Sequence, residues 1–310
     1  MVKSIAVVRA GALGDTVLTL PAVQALRDSY PNASLRVIGY PASWEIAGPL
    51  VDEILSVEQA GLAGLLTGTP VPGFISWLAD VDLLVLWTQQ DRTSLSRPTG
   101  ISQIVSGSPY PPPGMHASAW LLQTLSLPDD TPAVFRLAFD DQEQAEASSA
   151  LRALNLSLPV MLHPGAGATW KRWPAERFAA LADALEQQRR QVLLVEGPAD
   201  METIEAVQAH AARPYPVVHE TSPRRLAALL SRGALFVGND SGVTHLAAVA
   251  GVPTVALFGP TDPANWAPLG HSRVVRSCTA RTTYQGQIRV CDDAACMSAI
   301  SVEEVVAGIE

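Results

Sequence analysis

The chain of 310 residues is poor in lysine, which occurs only at Lys3 and Lys171. Asp and Glu total 30 against 21 for Lys and Arg, so the formal net charge is −9. A nucleic-acid-binding surface needs a basic footprint, and this charge balance therefore argues against a nucleic-acid partner. Any mechanism that requires a lysine has only two candidates.

Long apolar runs and paired cysteines are also missing. No eighteen consecutive residues are apolar, and the start, MVKSIAVVRAGALGD, turns to glycine and aspartate after a short apolar run. We therefore expect neither a membrane-spanning helix nor a signal peptide. Cys278, Cys291 and Cys296 include no CxxC pair. We expect small buried thiols in a reducing cytoplasm; zinc binding, with His271 as a further ligand, is the alternative.

The composition is that of a globular protein, with 48% hydrophobic and 16% charged residues. Short apolar runs alternate with amphipathic stretches along the whole chain, which predicts parallel strands joined by helices. The predicted buried strands are residues 4–10, 35–40, 81–87, 159–165 and 191–198. The fold class is therefore α/β, with two Rossmann-like doubly wound parallel-sheet domains.

The length suits two domains. A polar helix over 140–156 ends at Ser157-Leu158-Pro159, and we place the domain boundary there, giving domains 1–156 and 157–310. Ligands of doubly wound sheets bind at the carboxyl ends of the strands. We expect the site there, in a cleft between the two halves.

The first glycine-rich strand end is RAGALGD, residues 9–15. Gly11 and Gly14 allow the chain to turn sharply from a strand into a helix. The segment is not a GxGxxG fingerprint, so dinucleotide binding has little support. Asp15 stands at the helix start, where it is either an N-cap residue or a general base that faces the cleft.

The second strand end is HPGAGATWKRWP, residues 163–174. Gly165 and Gly167 let backbone amides approach an anion, and Lys171 adds a positive charge just before a helix. The alternative for Lys171 is a surface lysine. Neither lysine of the chain fits a Walker P-loop, because neither follows GxxxxG and precedes Ser or Thr.

The third strand end is GNDSG, residues 238–242, followed by a small-residue helix that carries His245. The free amides of that helix favour an anion, and Asp240 or Ser241 can serve as its N-cap. A serine nucleophile is the weaker interpretation because the chain has no GxSxG elbow. His245 shares a helix face with Ser241, which alone does not make a catalytic pair.

Three long segments, GALGDTVLTLPAVQALRDSYPNASLRVI, HPGAGATWKRWPAERFAALADAL and GNDSGVTHLAAVAGVPTVALFGPTDPANWAPLG, resemble glycosyltransferase family 9, the bacterial heptosyltransferases. The resemblance implies a GT-B fold, with the acceptor on the N-terminal domain and the nucleotide sugar on the C-terminal one. It also implies inversion at the anomeric carbon and ADP-heptose as the donor. We expect no cofactor, and we expect no catalytic metal ion because the DxD segment at residues 80–82 has another interpretation, given below.

The resemblance also implies site residues. Asp15 matches the general base and Lys171 the lysine that neutralises the phosphates, so these two are the predicted catalytic residues. Asp240 would repel phosphate, so we expect it to accept hydrogen bonds from sugar hydroxyls. Adenosine is expected at the turn 195–200, through Glu196 or Asp200. The full predicted donor-binding set is Gly14, Gly165, Ala166, Gly167, Lys171, Glu196, Asp240, Ser241, Gly242 and His245.

The acceptor side departs from what an anionic lipopolysaccharide acceptor needs. Residues 37–91 contain no Lys or Arg but seven Asp and Glu residues, which opposes binding of an anionic acceptor. The candidate acceptor contacts are Arg92, Arg97 and His116, with Arg9 and Arg136 elsewhere in the chain. An uncharged glycan therefore stays open as the acceptor.

Asp80-Val81-Asp82 matches a DxD metal motif, but it directly precedes the strand LLVLW, and we interpret it as a strand-entry turn. The predicted partners are a nucleotide-sugar donor and a glycan or glycolipid acceptor. We expect a cytoplasmic monomer with at most peripheral contact with the inner face of the cytoplasmic membrane. Two other functions stay open: a GT-B-type nucleotide-sugar epimerase, and a non-catalytic nucleotide-sugar-binding protein.

Overall fold

The computed structural model divides the chain into two compact units, Met1–Ala133 and Val134–Glu310, called here the first and second unit. The structure describes residues 2–58, 77–88, 101–127, 135–276, 282–284, 287–289 and 295–309.

The first unit contains a five-stranded parallel sheet with the order β3-β2-β1-β4-β5. Every residue of β1 is buried, as expected for a strand that has neighbours on both sides and cover on both faces. The strands are β1 (Ser4–Val8), β2 (Ser34–Gly39), β3 (Glu53–Ser56), β4 (Leu83–Trp87) and β5 (Gln103–Gly107).

The strand order reverses beside β1, because β2 pairs with one edge of β1 and β4 with the other. Such a switch point opens a crevice at the carboxyl ends of the strands. The loop after β1 leads there into the longest helix of the first unit's described part. The helices are α1 (Leu13–Ser29), α2 (Pro41–Trp44) and α3 (Ala117–Thr124), with a 3₁₀ turn at Glu45–Leu50.

The second unit repeats this plan with a six-stranded parallel sheet of order β11-β10-β9-β6-β7-β8. Its switch point lies between β6 and β9, so the loops after these two strands are neighbours. A separate antiparallel hairpin joins β12 (Thr282–Tyr284) to β13 (Gln287–Arg289). The sheet strands are β6 (Val160–His163), β7 (Val192–Glu196), β8 (Val217–His219), β9 (Leu235–Asn239), β10 (Thr254–Leu257) and β11 (Ser272–Val275).

Helices cover this second sheet, and their apolar faces join the strands in one buried cluster. Trp173 contributes to the cluster, with its ring edge-on to Phe178 at 5.0 Å between centroids and its Nε1 donating to the Ile300 carbonyl. The helices are α4 (Asp141–Ala153), α5 (Ala175–Gln187), α6 (Met201–His210), α7 (Pro223–Leu230), α8 (Gly242–Ala250), α9 (Pro263–Trp266), α10 (Ala295–Ser298) and α11 (Val302–Ile309).

Helix α4 belongs to the second unit, so the division in the structure comes earlier than the boundary predicted after residue 156. The helix packs on α7, where Glu143 Oε1 lies 2.6 Å from Arg224 Nε. The hydrogen bond from Arg224 holds the pKa of Glu143 below its ordinary value. Ahead of α4, the Leu137 N–H donates to the Val249 carbonyl at 2.8 Å. These contacts, which the sequence pattern does not reveal, tie residues 137–153 to helices α7 and α8 of the second unit.

The predicted fold class is confirmed: both units are α/β, with parallel sheets wound in both directions from a central strand. Within the ranges that the structure describes, no helix is both long and apolar enough to cross a lipid bilayer.

Candidate functional site

Asp15 lies at the switch point of the first unit, as the third residue of α1. Ala12 occupies the N-cap position, so Asp15 is not the N-cap residue itself. The Asp15 carboxylate accepts a hydrogen bond from Ala12 N–H at 3.2 Å on Oδ2 and one from Arg9 Nη2 at 2.9 Å on Oδ1. Its side chain stays 32% exposed. Two donors therefore hold the carboxylate while solvent still reaches it.

Arg9 is the buried partner of this carboxylate. Its side chain is 6% exposed, and its backbone carbonyl accepts a hydrogen bond from Trp44 Nε1 at 3.2 Å. Burial lowers the pKa of Arg9, and the nearby Asp15 and Tyr110 oppose that change. An arginine keeps its charge through such changes. Arg9 therefore meets the Asp15 carboxylate, whereas the sequence had suggested it as a contact for an anionic ligand.

Glycine is required at Gly11 for this arrangement. A Cβ at position 11 would lie 2.4 Å from the Cβ of Asp15, so any side chain would push the carboxylate out of the loop. Gly14 is the second residue of α1 and belongs to the same turn.

In the second unit, Asn239 at the end of β9 holds the loop that follows β6. Its Oδ1 accepts from the Trp173 N–H at 3.0 Å, and its Nδ2 donates to the carbonyl of Pro164 at 2.8 Å. Both ends of the loop are thereby fixed to the same fully buried amide. The sequence analysis did not single out Asn239, although a polar amide that ends an otherwise apolar strand was an available signal.

Lys171 and Asp240 form an ion pair where these two loops meet, with Lys171 Nζ 2.6 Å from Asp240 Oδ2. Thr261 Oγ1 donates to the same oxygen at 2.5 Å, and His245 Nε2 lies 4.0 Å from Oδ1. Burial raises the pKa of Asp240, but Lys171 and His245 outweigh it and leave the pKa below its ordinary value. Asp240 is 7% exposed and Lys171 23%, so the carboxylate is the more buried partner.

The amino end of α8 lies beside this pair. Ser241 is the N-cap residue, and its Oγ accepts from the Thr244 N–H at 3.4 Å, while Gly242 is the first residue of the helix. Thr244 Oγ1 donates back to the Asn239 carbonyl at 2.5 Å. The remaining N–H groups of a first helical turn have no partner within the helix and carry partial positive charge, so this end can hold an anion.

A Ser–His–Asp array does occur here, but it uses His163 and Asp200 and not the histidine and aspartate of the GNDSG segment. His163 Nε2 lies 2.9 Å from Asp200 Oδ2, and His163 Nδ1 lies 3.4 Å from Ser241 Oγ. The sequence analysis did not identify His163 as a site residue. Asp200 was an alternative contact for adenosine, and the structure turns its carboxylate toward His163.

The other predicted donor contacts of the second unit lie on the loops after β6 and β7. A Cβ on Gly165 would meet Asp200 Oδ1 at 2.1 Å, whereas one on Gly167 would have no atom within 4 Å. Ala166 is buried, and its carbonyl accepts from Arg172 Nη2 at 3.2 Å. Glu196 ends β7 and pairs through Oε1 with an exposed histidine, His219, at 3.1 Å.

The predicted acceptor contacts are only partly described. Arg92 and Arg97 lie outside the described residues. His116 is the N-cap residue of α3, where its Nδ1 accepts from the Ser118 N–H at 3.3 Å. The interpretation of residues 80–82 as a strand-entry turn is confirmed, because a turn at residues 79–80 leads into β4, which begins at Leu83. Asp82 Oδ2 accepts there from the N–H of Lys3 at 2.7 Å.

The described residues contain no cluster of three or more His, Cys, Asp or Glu side chains that could hold a metal ion. Cys296 is buried and disulfide-bonded, so the prediction of a free thiol is wrong for this residue. Cys278 and Cys291 lie outside the described part of the chain. The backbone carbonyl of His271 accepts from the Thr254 N–H at 3.1 Å, at the start of β10.

Comparison with known proteins identifies relatives of the chain. Residues 119–291, more than half of the chain, match the family model described as "Glycosyltransferase family 9 (heptosyltransferase)". Lipopolysaccharide heptosyltransferase 3 of Escherichia coli strain K12 is 24% identical over 291 residues, which covers 82% of each chain.

Solved structures show the same fold. The family 9 glycosyltransferase from Veillonella parvula DSM 2008 has a TM-score of 0.76 at 20% identity, over 99% of this chain and 95% of that one. The E. coli ADP-heptose lipopolysaccharide heptosyltransferase II has a TM-score of 0.74 at 19% identity, over 99% of this chain and 97% of that one. The predicted GT-B fold is thereby confirmed. With the family model matched over more than half of its length, the chain belongs to glycosyltransferase family 9, the heptosyltransferase family.

Proposed function

We propose that this protein transfers a heptose from ADP-heptose to a hydroxyl group of a glycan or glycolipid acceptor, with inversion at the anomeric carbon. The observation that carries the proposal is the buried Lys171–Asp240 pair beside the amino end of α8, at the second unit's switch point. Family membership and the names of its relatives, one of which includes ADP-heptose, support the choice of donor.

Asp15 is the proposed general base. The attacking hydroxyl must lose its proton as its oxygen approaches the anomeric carbon, and a carboxylate within hydrogen-bonding reach can accept that proton. The Asp15 carboxylate is partly exposed and is held at both oxygens by Arg9 and the Ala12 N–H. A held carboxylate loses little orientational freedom when the acceptor arrives.

Lys171 and the first-turn amides of α8 are the proposed stabilisers of the leaving group. The departing nucleoside diphosphate gains negative charge as the glycosidic bond breaks, and fixed positive groups stabilise that charge. Asp240 keeps the ammonium in place, since its buried carboxylate lies 2.6 Å from Nζ. Lys171 and Thr261 both contact Oδ2 of Asp240, so a sugar hydroxyl would donate to Oδ1, which lies 4.0 Å from His245 Nε2.

Because Lys171 and the helix amides supply positive charge, we propose that the reaction needs no divalent metal ion. Transfer should persist in excess EDTA, and loss of activity that Mg²⁺ or Mn²⁺ restores would contradict this. We also propose that the protein acts as a monomer. Light scattering at working concentration tests the monomer directly.

Replacement of Asp15 by Asn tests the base. The exchange should slow transfer by about 10²- to 10⁴-fold, while calorimetry should show nearly unchanged donor affinity. Asp28→Asn is the matched control, because Asp28 lies on the same helix, is exposed and bonds only to Gln24 among the contacts described. Equal loss of donor affinity and rate in Asp15→Asn would refute the assignment of the base.

A thermal-shift series with ADP-, GDP- and UDP-sugars tests the donor. Ligand at 100 times its Kd stabilises the native state by about 2.7 kcal/mol. We expect ADP-heptose to raise the melting temperature and UDP-sugars to leave it unchanged. A response to UDP-sugars alone would refute the proposed donor, and an epimer formed from the donor without acceptor would refute transfer.

A further inference from the structure

His163 and Asp200 form a buried pair that the proposed reaction does not use directly. His163 ends β6, and Asp200 immediately precedes α6. Both side chains are nearly inaccessible, at 2% and 10% exposure. Burial raises the pKa of Asp200, but the hydrogen bonds from His163 and from the Gly197 N–H outweigh it, and the pKa lies below its ordinary value. The carboxylate is therefore ionised at neutral pH.

Two glycines make room for this carboxylate. A Cβ on Gly165 would lie 2.1 Å from Asp200 Oδ1, and a Cβ on Gly197 would lie 2.6 Å from Oδ2. Both distances are far too short for non-bonded atoms. The loops after β6 and β7 thus close around Asp200, and this packing explains why position 165 needs a glycine.

The contacts of Asp200 fix the tautomer of His163. The Gly197 N–H at 3.0 Å and His163 Nε2 at 2.9 Å share Oδ2 of Asp200. An ionised carboxylate only accepts hydrogen bonds, so Nε2 must carry the imidazole proton. In the neutral ring, Nδ1 is then an acceptor, and it faces the Ser241 hydroxyl at 3.4 Å.

The Ser241 hydroxyl is consequently constrained on two sides. Its oxygen accepts from the Thr244 N–H as the cap of α8. Its single proton has two acceptors within reach, His163 Nδ1 at 3.4 Å and Thr244 Oγ1 at 3.2 Å, whose own proton goes to the Asn239 carbonyl. The array Asp200–His163–Ser241 runs across the carboxyl ends of β7, β6 and β9, which are adjacent strands in the sheet. It links three loops at the amino end of α8.

We propose that Asp200 and His163 are positioning residues that orient the Ser241 hydroxyl and the amino end of α8 for a nucleoside diphosphate. Neither residue touches the reacting atoms; Asp200 acts through the tautomer of His163, and His163 acts through Ser241. The identity of the ligand rests on the proposed function, whereas the tautomer and its coupling to Ser241 do not.

Two variants of Asp200 separate positioning from charge. Asp200→Ala removes the acceptor, so the His163 proton should move to Nδ1. Asp200→Asn should keep the Nε2 proton, because the Gly197 N–H attracts the amide oxygen to the position of Oδ2, where it also accepts from Nε2. Asp183→Ala is the matched control. Asp183 lies on α5, away from the carboxyl ends of the strands, and accepts hydrogen bonds from Tyr215 Oη and the Ala212 N–H.

The measurements are the ¹⁵N spectrum of the neutral His163 imidazole, assigned with His163→Gln, and the Kd of ADP by calorimetry. Asp200→Ala should shift the tautomer and weaken ADP binding about tenfold, as expected for a lost buried hydrogen bond. Asp200→Asn and Asp183→Ala should have the same His163 tautomer and the same Kd for ADP as the parent protein. Circular dichroism confirms that each variant is folded.

An unchanged His163 tautomer in Asp200→Ala would overturn the proposal, and so would an Asp200→Asn variant as impaired as Asp200→Ala. A shifted tautomer with an unchanged Kd for ADP would overturn the link to the diphosphate. If the parent protein and the Asp183→Ala control both fail to bind ADP, the proposed function fails, and the imidazole spectrum still decides whether Asp200 positions His163.

Discussion

The ion pair between Lys171 and Asp240 predicts unequal effects of removing its two partners. Lys171→Met leaves a carboxylate that is 7% exposed without its cation, whereas Asp240→Asn leaves an ammonium group on a side chain that is 23% exposed. Water can solvate the ammonium group of Lys171 but reaches little of the Asp240 carboxylate. We therefore expect Lys171→Met to be the more destabilising change.

The contacts of Asp240 indicate how much stability each variant should lose. Breaking a buried pair by removing one partner costs about 3–5 kcal/mol, and we expect about 3 kcal/mol for Lys171→Met because Thr261 still donates to the carboxylate. In Asp240→Asn the amide can still accept from Thr261, so the cost is about 1 kcal/mol, a typical net value for one hydrogen bond. At about 2–4 °C per kcal/mol, the melting temperature falls by roughly 6–12 °C and 2–4 °C.

Thermal unfolding of the single and double variants measures these differences, with Asp28→Asn as the control. The double variant Lys171→Met/Asp240→Asn carries no unpaired charge at this site, so it should be less destabilised than the sum of the single changes, by about 1–3 kcal/mol. Additive effects, or a larger loss in Asp240→Asn than in Lys171→Met, would refute the reasoning.

The same pair predicts a response to acid. The folded-state pKa of Asp240 lies below its ordinary value of 3.8, so its contribution to stability is complete above that pH and is lost as the pH falls through the folded-state pKa. Lys171→Met removes the main attraction that lowers this pKa. The variant should therefore lose less stability than the parent protein between neutral pH and the acid range.

Three further outcomes are expected. Gly165→Ala should unfold the loops around Asp200 and lower the melting temperature, whereas Gly167→Ala, with no atom within 4 Å, should fold normally; equal melting temperatures would contradict this. Arg9→Met should slow transfer about tenfold, because Asp15 loses one of its two donors, with an unchanged Kd for ADP; a matching loss of ADP affinity would contradict it. Transfer to uncharged acceptors should exceed transfer to phosphorylated ones, and the reverse preference would show that cations outside residues 37–91 dominate acceptor binding.

The sequence predicted the fold class because each buried strand is a short apolar run between helical stretches. Its strand at residues 81–87 corresponds to β4, Leu83–Trp87, and its helix at 140–156 to α4, Asp141–Ala153. The unit to which α4 belongs was not predictable in this way. That choice depends on packing against α7, 70 or more residues later in the chain, and α4 is polar on most of its surface.

The site residues that could be predicted are those whose role is indicated by the sequence of a single loop. Glycines beside Asp15, and a rare lysine before a helix, mark their loops without help from the rest of the chain. The pairing of His163 with Asp200 could not be found this way, because the residues are 37 positions apart and meet only when β6 and β7 pair. Asn239 was missed for a similar reason, since its role depends on contacts with another loop.

The position of Lys171 in the Lys171–Asp240 pair also allows ligand binding at the site to be followed by chemical labelling. Only two lysine side chains occur in the chain, and the one in the second unit lies at the proposed diphosphate position. An amine-selective acylating reagent therefore has very few targets, and mass spectrometry can follow Lys171 almost free of background. Protection of that amine by a candidate ligand would measure site occupancy in the unmodified protein, without a known acceptor and without any assay of turnover.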